Sequence, residues 1–224
     1  MRFWRQAFEI ARVDLIVERR LGDTIRIVVP FAVVALVVFP LALGSRITLV
    51  SEVGFGIYWA LGILFGMQIA LRQSAADTPE RRDLQALLGL EPAARFVGRS
   101  LSGGVLMAGF LIVLLVATTV LLDPEVPDGG WSVLVISTVL VAIGLTELGT
   151  LAGEVTSGLR SRTALASLIV APLALPLVIG GSQSVQALER DTGILTWILL
   201  LIAGDLALAV AGVALAKPLE EATR

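Results

Sequence analysis

The chain contains no cysteine and no histidine in 224 residues. The first absence removes disulfides, thiolate nucleophiles and thiolate-held zinc or iron–sulfur clusters together. The second removes the commonest metal and haem ligand and the usual acid–base group near neutral pH. A phosphate-binding G-x-x-x-x-G-K-[ST] loop is also missing, as is any serine–histidine or zinc constellation. The sequence therefore carries no visible means of hydrolysing ATP or cleaving a substrate. If it does energised work, the energy enters from another subunit or from an ion gradient.

Apolar residues, by contrast, make up 56% of the chain, and the mean hydropathy is +0.90. Crossing the hydrocarbon layer of a bilayer takes about 20 mostly apolar residues in helix. Runs of this kind lie at roughly 26–44, 52–71, 99–122, 131–152, 163–182 and 194–216. In lipid each run must satisfy its own backbone hydrogen bonds, so helix is the expected form. The sequence predicts an all-α polytopic membrane protein with six spans and short loops, one domain over residues 1–224. The charged region before the first run, about 25 residues long, is too long for the leading region of a cleaved signal peptide.

Formal charge is −2, but its distribution says more. Fifteen of the seventeen basic residues fall before the first run, between runs two and three, between four and five, or in the tail, and only Arg46 and Arg190 lie in the other loops. That asymmetry predicts both termini on the cytoplasmic side. The loop after run three is acidic, with Asp123, Glu125 and Asp128, and Trp131 stands where an interfacial anchor belongs.

Two segments outside the runs have helical patterning. In residues 2–20, Trp4, Phe8, Ala11 and Leu15 recur on one face and Arg2, Arg5, Glu9 and Arg12 on another. This predicts an amphipathic helix lying at the membrane surface, an elbow leading into the first span; a plain helical lead-in is the alternative. Between runs two and three, Asp77-Thr78-Pro79-Glu80 reads as a helix start, Gly89 as its stop, and Pro92 prevents its return. Leu84, Leu87 and Leu88 form an i, i+3, i+4 patch on this helix. Either the leucines pack back on the membrane domain or they offer a docking knob to a cytoplasmic partner.

Within the runs, Gly62 and Gly66, Gly149 and Gly153, and more loosely Gly104 and Ala108 are small-residue pairs that permit close helix approach. Packing within the chain is the simpler use; a homodimer seam stays open. Pro172 and Pro176, followed by Gly180-Gly181, predict a kinked or locally unwound helix with a short outer piece, a candidate gating hinge. Glu147 and Asp205 fall inside runs four and six, where a carboxyl group must be protonated or paired. They are candidates for the polar lining of a substrate or proton path, or for structural hydrogen bonds to Thr146, Thr150 or a facing carbonyl. Glu154 is closer to the basic loop, and a salt bridge to Arg160 or Arg162 is its expected fate.

The order of parts resembles the membrane subunits of type-2 ABC exporters, and more narrowly the CcmB family of haem exporter B subunits. The residues that carry this are Phe3-Trp4-Arg5, Asp83-Leu84-Gln85-Ala86-Leu87-Leu88-Gly89-Leu90-Glu91-Pro92, the stretch from Gly144 through Gly158-Leu159-Arg160, and Ser167-Leu168-Ile169-Val170-Ala171-Pro172-Leu173-Ala174-Leu175-Pro176-Leu177. The resemblance implies a permease of the bacterial cytoplasmic membrane acting in cytochrome c maturation. It implies a separate ATP-binding subunit, CcmA, that docks at Asp83, Leu84, Gln85, Leu87 and Leu88. It further implies CcmC and CcmD as membrane partners and the haem chaperone CcmE as the protein released. ATP and magnesium would sit on the partner, haem would be a handled ligand rather than a cofactor, and nucleic acid has no part. Without histidine or cysteine, and with Met67 and Met107 the internal thioethers, tight axial ligation of haem by this chain is not expected. Alternatives are an exporter of another substrate, such as a lipid-linked glycan or drug, or an ion-coupled transporter using Glu147 and Asp205.

Overall fold

Backbone amides in an apolar setting are satisfied most simply within one helix, and helix accounts for every regular element found. The structure, a computed structural model, describes residues 2–22, 24–44, 47–75, 79–156, 162–190 and 192–222. Among them there are eight α-helices and one π-turn, with no strand. They are α1 (Arg2–Leu21), α2 (Val29–Leu43), α3 (Ile47–Ala75), α4 (Pro79–Leu87), α5 (Pro92–Leu122), α6 (Gly130–Val155), α7 (Arg162–Glu189) and α8 (Ile194–Ala222). The π-turn, Thr24–Val28, joins α1 to α2.

Five of these helices contain stretches long and apolar enough to cross a membrane: Glu52–Gln73, Pro92–Leu122, Gly130–Val155, Ala164–Leu188 and Ile194–Glu221. The first expected span is shorter than the rest. Its apolar helical part is Arg26–Ala42, and α2 itself has 15 residues. Two backbone features mark its start. Gly22, at φ 68°, ends α1 in a left-handed turn, and Pro30 has no amide for the carbonyl of Arg26, directly after the widened π-turn. Six runs of apolar sequence thus become five full-length helices and one short one.

The core lies between α3, α5, α6 and α7. Tyr58, Ile69, Met107, Leu111, Leu114, Leu134, Leu145 and Leu148 are almost wholly enclosed there. Close approach depends on glycine. A Cβ at Gly149 would stand 2.5 Å from the Cβ of Ala70, and one at Gly66 would stand 3.2 Å from the sulfur of Met107. Gly62 meets Leu111 in the same way, at 3.1 Å. Hydroxyl groups add cross-ties: Tyr58 Oη and Thr138 Oγ1 are 2.9 Å apart, and Ser137 Oγ and Ser184 Oγ 2.5 Å. Gly104 differs from Gly62, Gly66 and Gly149, since a Cβ there, as at Gly56 and Gly109, would meet nothing within 4 Å.

One end of the bundle is tied by charge. Arg95, buried at the start of α5, pairs with Glu220 of α8 at 3.2 Å. Arg99, one turn on, donates from Nη2 to the carbonyl of Gln73 at 2.7 Å, covering an exposed acceptor at the end of α3. The i, i+4 spacing of the two arginines puts both on one face of α5.

Helix α7 is continuous. It runs through Pro172, Pro176 and Gly180-Gly181 to Glu189, so the expected broken outer piece does not form. Neighbours explain this: Gly180 packs against Leu201 and Gly181 against Trp59 and Val141, holding the segment in helix. Pro172, Pro176 and Leu168 share an outward-facing stripe, where the carbonyls that lose an amide partner face no neighbouring helix.

Filling the Gly149 notch tests this packing. Gly149→Leu should destabilise the folded chain by about 1–3 kcal/mol, the usual cost of overpacking, whereas Gly104→Leu should leave stability unchanged. Thermal unfolding of the two purified variants in detergent measures the difference.

Candidate functional site

Helix α4 stands outside the bundle, and its C-terminus is closed by local chemistry. Gly89 takes φ 69°, its amide bonds the carbonyl of Ala86 at 3.0 Å, and the amide of Leu90 bonds that of Gln85 at 3.1 Å. This pair of bonds is a Schellman motif. Glu91 is extended, as a residue before proline prefers, and Pro92 opens α5. The expected cap at Asp77 and Thr78 lies outside the described residues.

The leucines of α4 are uncovered. Leu84 is 58%, Leu87 86% and Leu88 69% exposed. They do not pack back on the membrane domain. Gln85 is half-buried, and its Oε1 is enclosed without a hydrogen-bond partner. The backbone of Asp83 belongs to α4, but its side chain is outside the described residues.

What holds α4 in place is α1. Arg81 forms an ion pair with Asp14. Gln6 donates to the carbonyl of Gly89 and accepts from the amide of Glu91, each at 3.4 Å. A groove of about 520 Å³ separates the two helices, with Val13 of α1 on one wall and Leu84 and Leu88 on the other. Helix α1 is in turn fixed to α5. Its Ala7, Ile10 and Ala11 are buried, and a Cβ on Gly98 of α5 would lie 2.7 Å from the carbonyl oxygen of Ala7 and 2.8 Å from Ile10 Cβ. Its other apolar residues, Trp4, Phe8, Val13, Ile16 and Val17, are exposed. The predicted apolar face of α1 therefore divides: Ala11 faces protein, Trp4 and Phe8 face outward, and Leu15 is half-buried.

The two carboxyl groups inside the long helices converge. Asp205 of α8 packs against α6, where a Cβ on Gly144 would stand 2.5 Å from its Oδ1. Glu147 is three residues further along α6, on the same face, and within electrostatic reach of Asp205. Both residues are buried, and among the described residues Glu147 Oε2 and both Asp205 oxygens have no hydrogen-bond partner. Thr146 and Thr150, the expected partners, are occupied elsewhere: their hydroxyls donate to the carbonyls of Ala142 and Thr146 on their own helix. Such a pair needs a proton, a cation or a further donor. Glu154 is buried as well; Arg160 and the side chain of Arg162 lie outside the described residues.

Sequence reading missed two ties at the start of α5, Arg95 to Glu220 and Arg99 to the carbonyl of Gln73. The signal was available: two arginines four apart at the start of an apolar helix mark one face as polar. It was read only as loop charge.

Comparison with known proteins places these features in a family. Residues 5–222 match the family described as CcmB protein. Heme exporter protein B of Pseudomonas aeruginosa is 29% identical over 217 residues, covering 94% of each chain. Heme exporter protein B of Haemophilus influenzae is 28% identical over 180 residues, covering 80% of each. With the match running almost end to end over an all-helical chain of long apolar segments, this protein belongs to the CcmB family and is a multi-pass membrane protein.

Proposed function

We propose that this chain is the membrane subunit of an ATP-driven complex that serves haem export in cytochrome c maturation, in the bacterial cytoplasmic membrane. The names of its relatives support the haem assignment. The observation that carries the mechanism is the set of exposed leucines on a helix clamped to α1. In this reading both termini and α4 face the cytoplasm, α1 is an interfacial elbow with Trp4 and Phe8 toward lipid, and α2 is a sixth, short span. A separate ATP-binding subunit, the CcmA of this family, receives Leu84, Leu87 and Leu88 in a groove, with Asp83 and Gln85 flanking. That subunit holds ATP and magnesium. CcmC, CcmD and the chaperone CcmE complete the assembly, and haem is the ligand handled.

The mechanical route follows the contacts. Closure of the ATP-binding subunits moves α4. The Arg81–Asp14 pair and the Gln6 bonds carry that movement to α1, and the Gly98 contact carries it to α5. Helix α7 then bends at Pro172 and Pro176, where two intrahelical bonds are missing on the outward face. The convergence of Glu147 and Asp205 favours one second reading, an ion-coupled transporter in which this pair carries the proton.

Replacing Leu84 and Leu87 with aspartate should abolish copurification of the ATP-binding subunit while membrane insertion continues; undiminished copurification would remove the docking role. Replacing Pro172 and Pro176 with alanine restores both amides, and should raise thermal stability while lowering cytochrome c formation several-fold. Copurification of the ATP-binding subunit should not change in that variant. If dissipating the proton gradient stops the purified, ATP-supplied system, the ion-coupled reading takes precedence.

A further inference from the structure

Beside the buried carboxyls lies a cleft that none of the described residues fills. It has a volume of about 810 Å³ and opens sideways between α5, α6 and α8. Phe3 and Trp4 of α1 close one end, and its walls are apolar apart from Ser100 and Glu147. Along α5 the cleft exposes Ser100, Gly104 and Ala108, spaced four apart, a row about 12 Å long at 1.5 Å per residue. Across from it, α8 contributes Ala209.

Small residues at this spacing let another backbone come close. Elsewhere in the chain such rows are used up: Gly62, Gly66 and Gly149 each meet a neighbouring helix. At Gly104 there is open space. A second, independent feature points to an occupant. Glu147 is 8% exposed, lines the cleft, and its Oε2 has no hydrogen-bond partner among the described residues; the Ser100 hydroxyl also lacks one there. Polar atoms left unpaired in an apolar setting cost free energy, and a partner supplied from outside would remove that cost.

We infer that the cleft receives a transmembrane helix from a different subunit, one that carries a basic side chain at the depth of Glu147. An acyl chain fits the apolar walls but offers no donor to the carboxyl. A second copy of this chain does not fit either, because the runs 26–44, 52–71, 99–122, 131–152, 163–182 and 194–216 contain no lysine or arginine except Arg26 and Arg99 at their very ends, away from mid-depth. This inference rests on the reading of the chain as one subunit of a larger membrane complex. It adds where a partner helix sits and what that helix must present. Since α1 closes the cleft with Phe3 and Trp4 while its Asp14 and Gln6 hold α4, the occupied cleft and the docking helix share one supporting element.

The test uses the whole complex in its native membrane. A photo-crosslinking amino acid replaces Val105 or Val210, which line the cleft, or Val120, an exposed position on α5 outside it. Adducts are identified by mass spectrometry. The expected product forms from Val105 and Val210 but not Val120, and maps to an apolar helix of another protein bearing lysine or arginine midway. It should fall at least tenfold with Glu147→Ala, with Gly104→Leu, and with alanine at the partner's basic residue. Gly104→Ile serves as a second filler, and unchanged thermal stability of the filled variants excludes misfolding as the cause. Lipid adducts alone, a self-adduct, or a protein adduct indifferent to these substitutions would overturn the inference. The ATP-binding subunit is measured in the same samples. Its retention without a cleft adduct discards the cleft partner and keeps the transporter reading, whereas its absence beside the unsubstituted chain discards the latter.

Discussion

The contact between α1 and α5 at Gly98 is the constraint on which the functional surface depends. Helix α1 has neither the length of apolar sequence nor the position to be held by the bundle core. It is fixed because one residue without a side chain lets Ala7 and Ile10 lie directly against α5. Helix α4 depends on it in turn, through the Arg81–Asp14 pair and the two bonds of Gln6. An isolated helix of nine residues is too short to be stable in water. Its Schellman stop and its attachment to α1 are what keep three leucines facing outward rather than collapsed on the bundle.

The interior of the bundle follows a different rule. Backbone groups are satisfied within each helix, so cohesion comes from close packing and a few polar ties. At the end near α4 those ties are charged, linking α3, α5 and α8 through Arg99, Arg95 and Glu220. Elsewhere they are hydroxyl pairs, Tyr58 with Thr138 and Ser137 with Ser184. Between these two sets lie Glu147 and Asp205, polar groups that no described residue satisfies. One of them, Glu147, lines the open cleft between α5, α6 and α8.

Much of this was legible in the residues. The apolar runs located the long helices, Gly89 and Pro92 marked where α4 stops and α5 begins, and the spacing of Leu84, Leu87 and Leu88 anticipated their exposed patch. Local rules failed where neighbours decide the outcome. Two prolines and a glycine pair suggested a broken α7, but Leu201, Trp59 and Val141 pack on those glycines and the helix persists. An apolar run at 26–44 suggested a full span; its apolar helical stretch among the described residues is Arg26–Ala42, and its first three residues belong to the π-turn. The approach of Glu147 to Asp205 joins positions 58 residues apart in sequence, and only the crossing of α6 and α8 brings them together. The division of the α1 apolar face also needed the tertiary structure, since helical spacing does not distinguish a protein neighbour from lipid.

The central claim is that α4, α1 and the start of α5 move as one body when the ATP-binding subunit acts. The chain has no native cysteine, so pairs of spin labels can be placed cleanly. Suitable positions are Phe8 on the exposed face of α1, Ala86 on the side of α4 away from the leucines, and Ile179 on the outside of α7. Distances between labels are measured by pulsed electron resonance in the assembled complex, with and without trapped nucleotide. The account predicts an unchanged distance between positions 8 and 86, together with a shift of several ångströms between 86 and 179. A changed distance between 8 and 86 with 86 and 179 fixed would contradict it.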